Sequence, residues 1–434
     1  MLDMLQVIKP ESIDAIVCDP PYELGFMNKS WDSTGIAFKK ETWENCFEVL
    51  KPGGYLLAFG GSRTYHRIAC AIEDAGFEIR DCIMYLYGCG FSKSYNIGLA
   101  IGKKNGIDNR TGNIRADGVN NQNICYDFKA MKPKFEERIA QNEWQGWGTC
   151  LKPAYEPIIV ARKPFKGSVV DNIIKYRVGG INIDECRVDA TGEIIGRNNP
   201  NNPFSGIFHS KNTKGLDTTN INNGRFPANV ILTYDETDFD EVCGGMPYTK
   251  NNTKTHSAKN SDNNVNFNAS KSVNVIGYED SGSASRYFYR AKASKKDRDE
   301  GLDAFQERKT TDGCIRANVE TARKFGANSA LRKNIHPTCK PTELMQYLVR
   351  LVSPKGATIL DPFMGSGSTG KAVMFENRER DANYKFIGIE LTDEYLPIAQ
   401  ARIEYARDKF KYDLEQEKVT KGKQNIFDFI ESEE

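Results

Sequence analysis

Short apolar runs alternate with segments of helical spacing in the first 165 residues. Residues 12–18 form an apolar run that ends at an aspartate, and 55–59 form another that ends at two glycines. Further strand patterns cover 77–85 and 158–161, and helical spacing covers 43–50 and 64–75. Buried parallel strands read as short continuous apolar runs, and Gly or Pro commonly follows a helix. The alternation therefore predicts a doubly wound α/β sheet.

The same alternation returns near the C-terminus after a long region without it. Residues 166–333 are dominated by Asn, Gly, Ser, Thr and Lys, and their apolar periodicity is weak. From 334 onward we predict a helix over about 342–352, a strand over 358–360 and a helix that starts after Gly370. A strand over 386–390 and a helix over about 393–407 complete the pattern.

One α/β domain interrupted by an insertion explains this arrangement, because neither half alone holds enough strands for a full sheet. We predict that residues 1–165 and 334–410 are the two halves of that domain. Residues 166–333 form the loop-rich insertion, and 411–434 form a highly charged tail.

Composition narrows the class of protein only slightly. The chain has 434 residues, 27% of them charged, and a formal net charge of +1, so overall charge gives no indication of a nucleic-acid partner. Its 11 cysteines include no Cys-x-x-Cys pair and its four histidines are far apart, so we expect no metal site. The start lacks a secretory signal, and no stretch approaches the roughly 20 apolar residues of a membrane span. We expect a cytoplasmic protein with reduced thiols and no membrane contact.

A glycine-rich turn lies between a predicted strand and a predicted helix. Gly365 to Gly370 match G-x-G-x-x-G, and Glu390 follows at the end of the next strand, which is the fingerprint of a dinucleotide site. The stretch also nearly matches a P-loop, since Lys371 follows, but Ala372 stands where a P-loop needs Ser or Thr. An NTPase and an NAD enzyme therefore stay as alternatives at this point.

Asp361, immediately before this turn, separates these ligands by charge. A carboxylate at the strand end repels a pyrophosphate and attracts the cationic amino group of a methionyl ligand. Asp361 therefore favours S-adenosylmethionine over NAD.

A second motif, Asp19-Pro20-Pro21-Tyr22, follows the first predicted strand. An exocyclic amine such as adenine N6 is a weak nucleophile, because its lone pair is delocalised into the ring. The Asp19 carboxylate and the Pro20 carbonyl can accept its two N–H groups, while the prolines rigidify the turn and Tyr22 stacks on the base. The base must be flipped out of the duplex to reach such a motif, and positioning alone would then drive direct methyl transfer.

These motifs resemble those of amino-methyltransferases acting on DNA. Residues 361–369 resemble motif I of that family, 336–341 resemble motif X, and 386–390 resemble motif II. The resemblance covers roughly 12–165 and 334–405 and implies the Rossmann-like class I methyltransferase fold with S-adenosylmethionine as cofactor. It implies that Glu390 holds the ribose and that the methionine end is closed over by Lys340, Pro341 and Thr342. It also implies that the cofactor is lined by Asp361, Phe363, Gly365 and Gly367.

The order of the motifs, catalytic block first and cofactor block last, resembles the β group of this family, and phage- or prophage-type members in particular. The insertion would then be the target-recognition domain, and Asp19 favours adenine N6 over cytosine N4. A cytosine-N4 enzyme and an idle DNA-binding protein of the same fold remain alternatives. A cytosine-C5 enzyme needs a Pro-Cys pair, which the sequence lacks.

The resemblance carries further expectations about partners and about one cofactor contact. It implies double-stranded DNA as the substrate and a homodimer as the assembly, and it leaves a restriction endonuclease partner undecided. Family members usually carry a Gly-Asp pair ahead of the first helix, which helps to hold the cofactor adenine. The sequence starts inside that segment, so we expect this contact to be absent or supplied differently, or the recorded start to be internal.

A basic stretch near the end of the insertion is the candidate DNA contact. Its cations alternate with the aromatic residues 287–289, a combination that suits phosphate contact and base stacking. A solvated helix face is the alternative interpretation. The candidate DNA-binding residues are Arg286, Arg290, Lys292, Lys295 and Lys296.

Overall fold

The computed structural model describes residues 4–25, 30–87, 94–105, 142–189, 224–233, 248–249, 282–283, 288–291, 295–309 and 331–408. The chain divides into two compact units. Unit 1 comprises Met1–Leu86, Glu156–Gly301 and Thr338–Glu434, and unit 2 comprises Tyr87–Tyr155 and Leu302–Pro337. The boundaries of the catalytic half, the insertion and the tail stay a prediction.

The strands within the described ranges are β1 (Ile13–Cys18), β2 (Leu50–Phe59), β3 (Glu78–Leu86), β4 (Tyr155–Arg162), β5 (Val230–Leu232), β6 (Tyr248–Thr249), β7 (Gly282–Ser283), β8 (Tyr289–Arg290), β9 (Arg308–Lys309), β10 (Leu331–Arg332), β11 (Thr358–Asp361) and β12 (Lys385–Gly388). The helices are α1 (Met4–Val7), α2 (Lys40–Val49), α3 (Tyr65–Asp74), α4 (Ile97–Lys104), α5 (Val169–Tyr176), α6 (Lys295–Asp299), α7 (Thr342–Val352), α8 (Ser368–Arg380) and α9 (396–408).

Unit 1 is built on an eight-stranded sheet with the order β12-β11-β1-β2-β4-β3-β5-β8. The four strands from β12 to β2 are parallel, whereas β4 runs antiparallel to β2. Helices cover both faces of this sheet. Side chains of α2 and α3 form one apolar cluster with β1 and β2, and α7, outside that cluster, packs against the same two strands. The predicted doubly wound fold is confirmed.

The order of the strands explains where a ligand can bind. From β1 the chain moves to β2 on one side, and from β11 it moves to β12 on the other side. Ligands of open α/β sheets bind outside the carboxyl ends of the strands where the order reverses. That point lies between β1 and β11, which pair in parallel with Ile16 opposite Leu360.

Two boundaries differ from the sequence prediction for local reasons. Helix α8 starts at Ser368 rather than after Gly370, because Gly367 already ends the turn with a left-handed backbone at φ 76°. Strand β2 starts at Leu50 and continues through the predicted Pro/Gly break, where its register with β1 shifts. The amide of Gly53, at φ 83°, donates to the carbonyl of Lys163, so hydrogen bonding continues across the break.

Unit 2 contains α4 and the antiparallel pair β9–β10. The side chain of Asn96 caps α4 by accepting from the amide of Leu99 at 2.9 Å. The rings of Trp144 and Trp147 pack edge to face with centroids 5.2 Å apart.

Across the described residues, the helices are too short or too polar to span a membrane.

Candidate active site

Asp19 lies directly after β1, whose six residues are all buried. Its Oδ2 atom is 2.8 Å from the Nζ atom of Lys340, and its side chain is 20% exposed. Its Oδ1 atom is buried and has no hydrogen-bond partner among the described residues. Buried acceptors are normally satisfied in proteins, so an unsatisfied carboxylate oxygen at a ligand-binding edge marks a place for an N–H donor.

Tyr22 is fixed at both its backbone and its hydroxyl. The hydroxyl of Thr64 donates to the Tyr22 carbonyl at 2.8 Å. The Tyr22 hydroxyl donates to Oε2 of Glu156 at 3.2 Å and accepts from Nζ of Lys340 at 3.1 Å. Pro20 is buried and Pro21 half-buried between the two functional residues, so the motif forms a rigid turn.

The loop after this motif is held by carboxylates. Asp32, 2% exposed, accepts from the amides of Glu23 and Leu24 at 2.9 and 3.2 Å. Glu23 has a left-handed backbone at φ 56°, and its side chain accepts from the amide of Gly35 at 2.7 Å. These contacts fix the chain on either side of residues 26–29, which lie outside the described residues.

Lys340 lies at the centre of the polar cluster formed by Asp19, Tyr22 and Glu156. Besides Asp19, its ammonium contacts Oε2 of Glu156 at 3.2 Å and lies 4.8 Å from the ring centroid of Phe59. Burial disfavours the charge on Lys340, but the two carboxylates outweigh it and raise its pKa. Burial raises the pKa of Asp19, Lys340 lowers it and Glu156 raises it, with a net upward shift.

Asp361 ends β11 and organises the turn that follows. It is 2% exposed, and its two oxygens accept from the Phe363 amide at 3.0 Å and the Thr369 hydroxyl at 2.5 Å. Burial raises the pKa of Asp361 to about 7, against the opposing effect of these hydrogen bonds, and the negative charge of Asp19 adds to the rise. The carboxyl group therefore lies in a place where a cation would be stabilised.

Glu390 follows β12 and closes the other side of the glycine turn. Its oxygens accept from the amides of Gly365 and Thr392, each at 2.7 Å. Gly365 and Gly367 have left-handed backbones at φ 54° and 76°, where a side chain would be strained. A Cβ atom on Gly367 would also lie 2.9 Å from the backbone of Ala399 in α9, so this glycine has a packing role as well.

These residues fit S-adenosylmethionine. The ligand carries cationic groups that suit the buried Asp361, and each carboxylate oxygen of Glu390 can accept a second hydrogen bond, as a ribose hydroxyl requires. The residues predicted for the methionine end lie in the same unit, and the Lys340 carbonyl accepts from the hydroxyl of Ser368 beside the glycine turn at 3.0 Å. The Nζ atom of Lys340 contacts Asp19, Pro341 is buried, and Thr342 bonds through its amide and hydroxyl to Asp297.

Lys371, the residue that suggested a P-loop, is paired with two carboxylates. It is fully buried, and its ammonium is 2.7 Å from Oδ1 of Asp297 and 3.0 Å from Oε2 of Glu300. Arg402 of α9, also fully buried, donates to the Asp297 carbonyl at 3.2 Å. A lysine held in this way does not reach a phosphate at the turn, which argues against the NTPase alternative.

The predicted DNA-binding stretch is only partly described. Arg290 of β8 and Lys296 of α6 are exposed. Tyr289 stacks on Tyr347 with ring centroids 4.1 Å apart, so its ring packs within the protein. Arg286, Lys292 and the side chain of Lys295 lie outside the described residues. In α6 the acidic Asp297 contacts the buried Lys371, and Lys296 projects from a different side of the helix.

Sequence reasoning missed Glu156 and Phe59 as members of the site. Glu156 is the second residue of β4 and lies just before the buried run of that strand. A partly buried carboxylate at the start of a buried strand is the signal that could have found it, since buried charges are rare unless paired. Phe59 read as an ordinary strand residue, and nothing in the pattern around it indicated a contact with a lysine.

Comparison with known proteins gives matches at the family level. A protein-family profile described as DNA methylase matches residues 13–401. The type II methyltransferase M.HindIII of Haemophilus influenzae is 27% identical over 146 residues, 33% of this chain and 37% of that protein. The DNA adenine methyltransferase YhdJ of Escherichia coli is 38% identical over 71 residues, 16% of this chain and 22% of that protein.

These matches are partial along the relatives and weak in three dimensions. The matched regions span 24% to 37% of the lengths of M.HindIII and two other type II methyltransferases, M2.DpnII and M.ScaI. The crystal structure of M1.HpyAVI bound to SAM aligns over 92% of each chain with 13% identity and a TM-score of 0.32.

Proposed function

The chain belongs to the DNA methylase family of N6 and N4 methyltransferases, and on that premise we propose that it methylates adenine N6 in double-stranded DNA. S-adenosylmethionine is the cofactor of this family, which agrees with the sequence prediction. The target base would be flipped out of the duplex, because the amine cannot reach a recessed carboxylate while it is paired.

One observation carries the proposal. Strands β1 and β11 are parallel neighbours, so Asp19 and the turn after Asp361 lie at the same edge of the sheet. The negative charge of Asp19 contributes to the raised pKa of Asp361, as expected of carboxylates at neighbouring strand ends. An amine acceptor beside a cation-binding turn is what methyl transfer from a sulfonium to an amine requires.

The residues act mainly by positioning. The free Oδ1 atom of Asp19 and the carbonyl of Pro20 accept the two N–H groups of the target amine, which turns its lone pair out of the ring plane. Tyr22 supports the base face, and Asp361 with Glu390 holds the cofactor. When bound, S-adenosylmethionine would supply the methyl group from its sulfonium, whose sulfur leaves as a thioether, and the methylated amine would lose one N–H proton. The side chains form no covalent bond to the base.

Two observations support adenine over cytosine, and a third supports the β group over the others. The residue before the two prolines is Asp19, and YhdJ, a partial relative, is described as a DNA adenine methyltransferase. The catalytic motif precedes the cofactor motif, with residues 166–333 between them as the proposed target-recognition domain.

Product analysis tests the proposal. DNA is incubated with the chain and methyl-labelled S-adenosylmethionine, then digested to nucleosides and separated. We expect label in N6-methyl-2′-deoxyadenosine. Label in N4-methyl-2′-deoxycytidine would overturn the base assignment, and no label in any base would support an idle DNA-binding protein. Long-read sequencing of DNA from expressing cells would then give the target sequence.

A further inference from the structure

We propose that Lys340 is a positioning residue for methyl transfer, which binds one oxygen of Asp19 and so directs the other oxygen to the target amine. This inference rests on the proposed function, since it assigns a role within that reaction. It also differs from the methionine-end role that family resemblance implied for Lys340.

The first support is the geometry around the ammonium. A lysine ammonium has three N–H donors, and three acceptors surround this one. They are Oδ2 of Asp19 at 2.8 Å, Oε2 of Glu156 at 3.2 Å and the hydroxyl of Tyr22 at 3.1 Å. All three donors are therefore directed to the catalytic cluster, and Lys340 links Asp19 to both other members.

The second support is the asymmetry of the Asp19 carboxylate. Oδ2 is bonded to Lys340, whereas Oδ1 is buried without a partner among the described residues. An ion pair on one oxygen fixes the rotation of the carboxylate and leaves the other oxygen in a defined direction. Loss of the ammonium would leave both oxygens free to rotate, and the directed acceptor would be lost.

The third support is the charge balance. Lys340, 10% exposed, is the cation that faces Asp19, while Glu156 from β4 and Asp361 from β11 are the anions near it. Tyr22 on the same turn contributes a neutral hydroxyl, and burial raises its pKa well above the usual range. One buried cation thus offsets several anions, and its loss would raise the pKa of Asp19.

A pH profile with matched variants tests the role. Lys340→Met keeps the aliphatic stem without the charge, and Lys340→Arg keeps the charge. Lys163→Met is the control, because the Lys163 side chain, 8% exposed, resembles the 10% exposed Lys340 side chain but donates to the carbonyls of Phe47 and Leu50. Turnover at saturating cofactor and the affinity for S-adenosylmethionine are measured from pH 5.5 to 9.

We expect Lys340→Met to lower turnover at pH 7 by about 100-fold, with cofactor affinity within about threefold of wild type. Its acid limb should move up by about one pH unit or more, because the ionised Asp19 loses its cation. A second substitution, Glu156→Gln, added to Lys340→Met should return the acid limb of turnover toward lower pH. The variant Lys340→Arg should retain more activity than Lys340→Met. An unmoved acid limb, or a loss confined to cofactor affinity, would overturn the inference.

A second readout separates this inference from the proposed function. The pKa of Asp19 is measured by NMR of carboxyl-labelled aspartate, assigned with Asp19→Asn, in wild type and Lys340→Met. An upward shift in the variant supports the ion pair even if the wild type methylates no base. An unchanged Asp19 pKa would overturn the inference even if the wild type is an active methyltransferase.

Discussion

Asp361 leads to a prediction about cofactor affinity and pH. The carboxyl group is 2% exposed, and burial raises its pKa to about 7 from an ordinary 3.8. In the free protein at pH 7 about half of the molecules therefore carry a neutral Asp361. Only the ionised form attracts a cationic ligand, so the neutral half must lose a proton before it binds well.

The size of the effect follows from this pKa. A single group with a pKa of about 7 is about 9% ionised at pH 6 and about 76% ionised at pH 7.5. Cofactor affinity should therefore rise about eightfold across this interval. Ionising the buried group in the free protein costs about 4 kcal/mol, from roughly three pKa units. Because the pKa of Asp361 is raised in the folded state, the neutral carboxyl group stabilises the fold by this amount below pH 4. That contribution to the free energy of unfolding is lost as the pH rises through 7.

Isothermal titration with S-adenosylmethionine measures the affinity and the proton release that accompanies binding. The upper limit of pH 7.5 stays below the pKa of the ligand's own amino group, about 7.7–8.0. Titrations at pH 7 in two buffers of different ionisation enthalpy should report release of about half a proton. Asp361→Asn should bind weakly without this dependence. Thr369→Val removes a hydrogen bond that lowers the Asp361 pKa. In this variant, the affinity for S-adenosylmethionine should therefore rise at a higher pH than in wild type. A flat wild-type affinity without proton release would refute the reasoning.

Three further predictions concern activity, stability and DNA affinity. Asp19→Ala should abolish transfer without weakening cofactor binding in titrations, and an equal loss of both would contradict a role confined to the amine. Glu376→Ala should lower the free energy of unfolding by about 3–5 kcal/mol, because it leaves the half-buried Arg350 without this carboxylate. In denaturant melts, the control Glu379→Ala should lower it much less. Lys296→Ala should weaken DNA binding uniformly across sequences and reduce the slope of log affinity against log salt concentration by about 1. The exposed control Lys40→Ala should leave that slope unchanged, and equal slopes for Lys296→Ala and wild type would exclude a phosphate contact.

Local patterns predicted the strands of the site well. Residues 12–18 and 358–360 are continuous apolar runs, and the structure has Ile13–Cys18 and Thr358–Asp361 as strands. A strand that is buried on both faces of a sheet is apolar at successive positions, so these two runs are recognised without an alternating pattern. Each run ends at an aspartate that begins a turn. The adjacency of Asp19 and Asp361 followed from the split domain, since only one sheet could hold both halves.

Contacts between distant residues could not be predicted in the same way. Tyr22 bonds to Glu156, 134 positions away, and to Lys340, 318 positions away. Such contacts depend on which strand lies beside which, and β4 enters the sheet antiparallel between β2 and β3. Nothing near Glu156 indicates that placement. In α6 the helix is too short for periodicity to show that Asp297 is directed inward.

The two buried aspartates connect the halves of the reaction electrostatically. The charge of Asp19 raises the pKa of Asp361, and repulsion between two carboxylates is mutual. A cation bound beside the ionised Asp361 offsets this repulsion and so preserves the ionised acceptor that the amine needs. Lys340 also favours the ionised form of Asp19. Cofactor binding thus ionises Asp361 without raising the pKa of Asp19, and the acid limb of turnover should not lie above the pKa of Asp19 measured in the free protein.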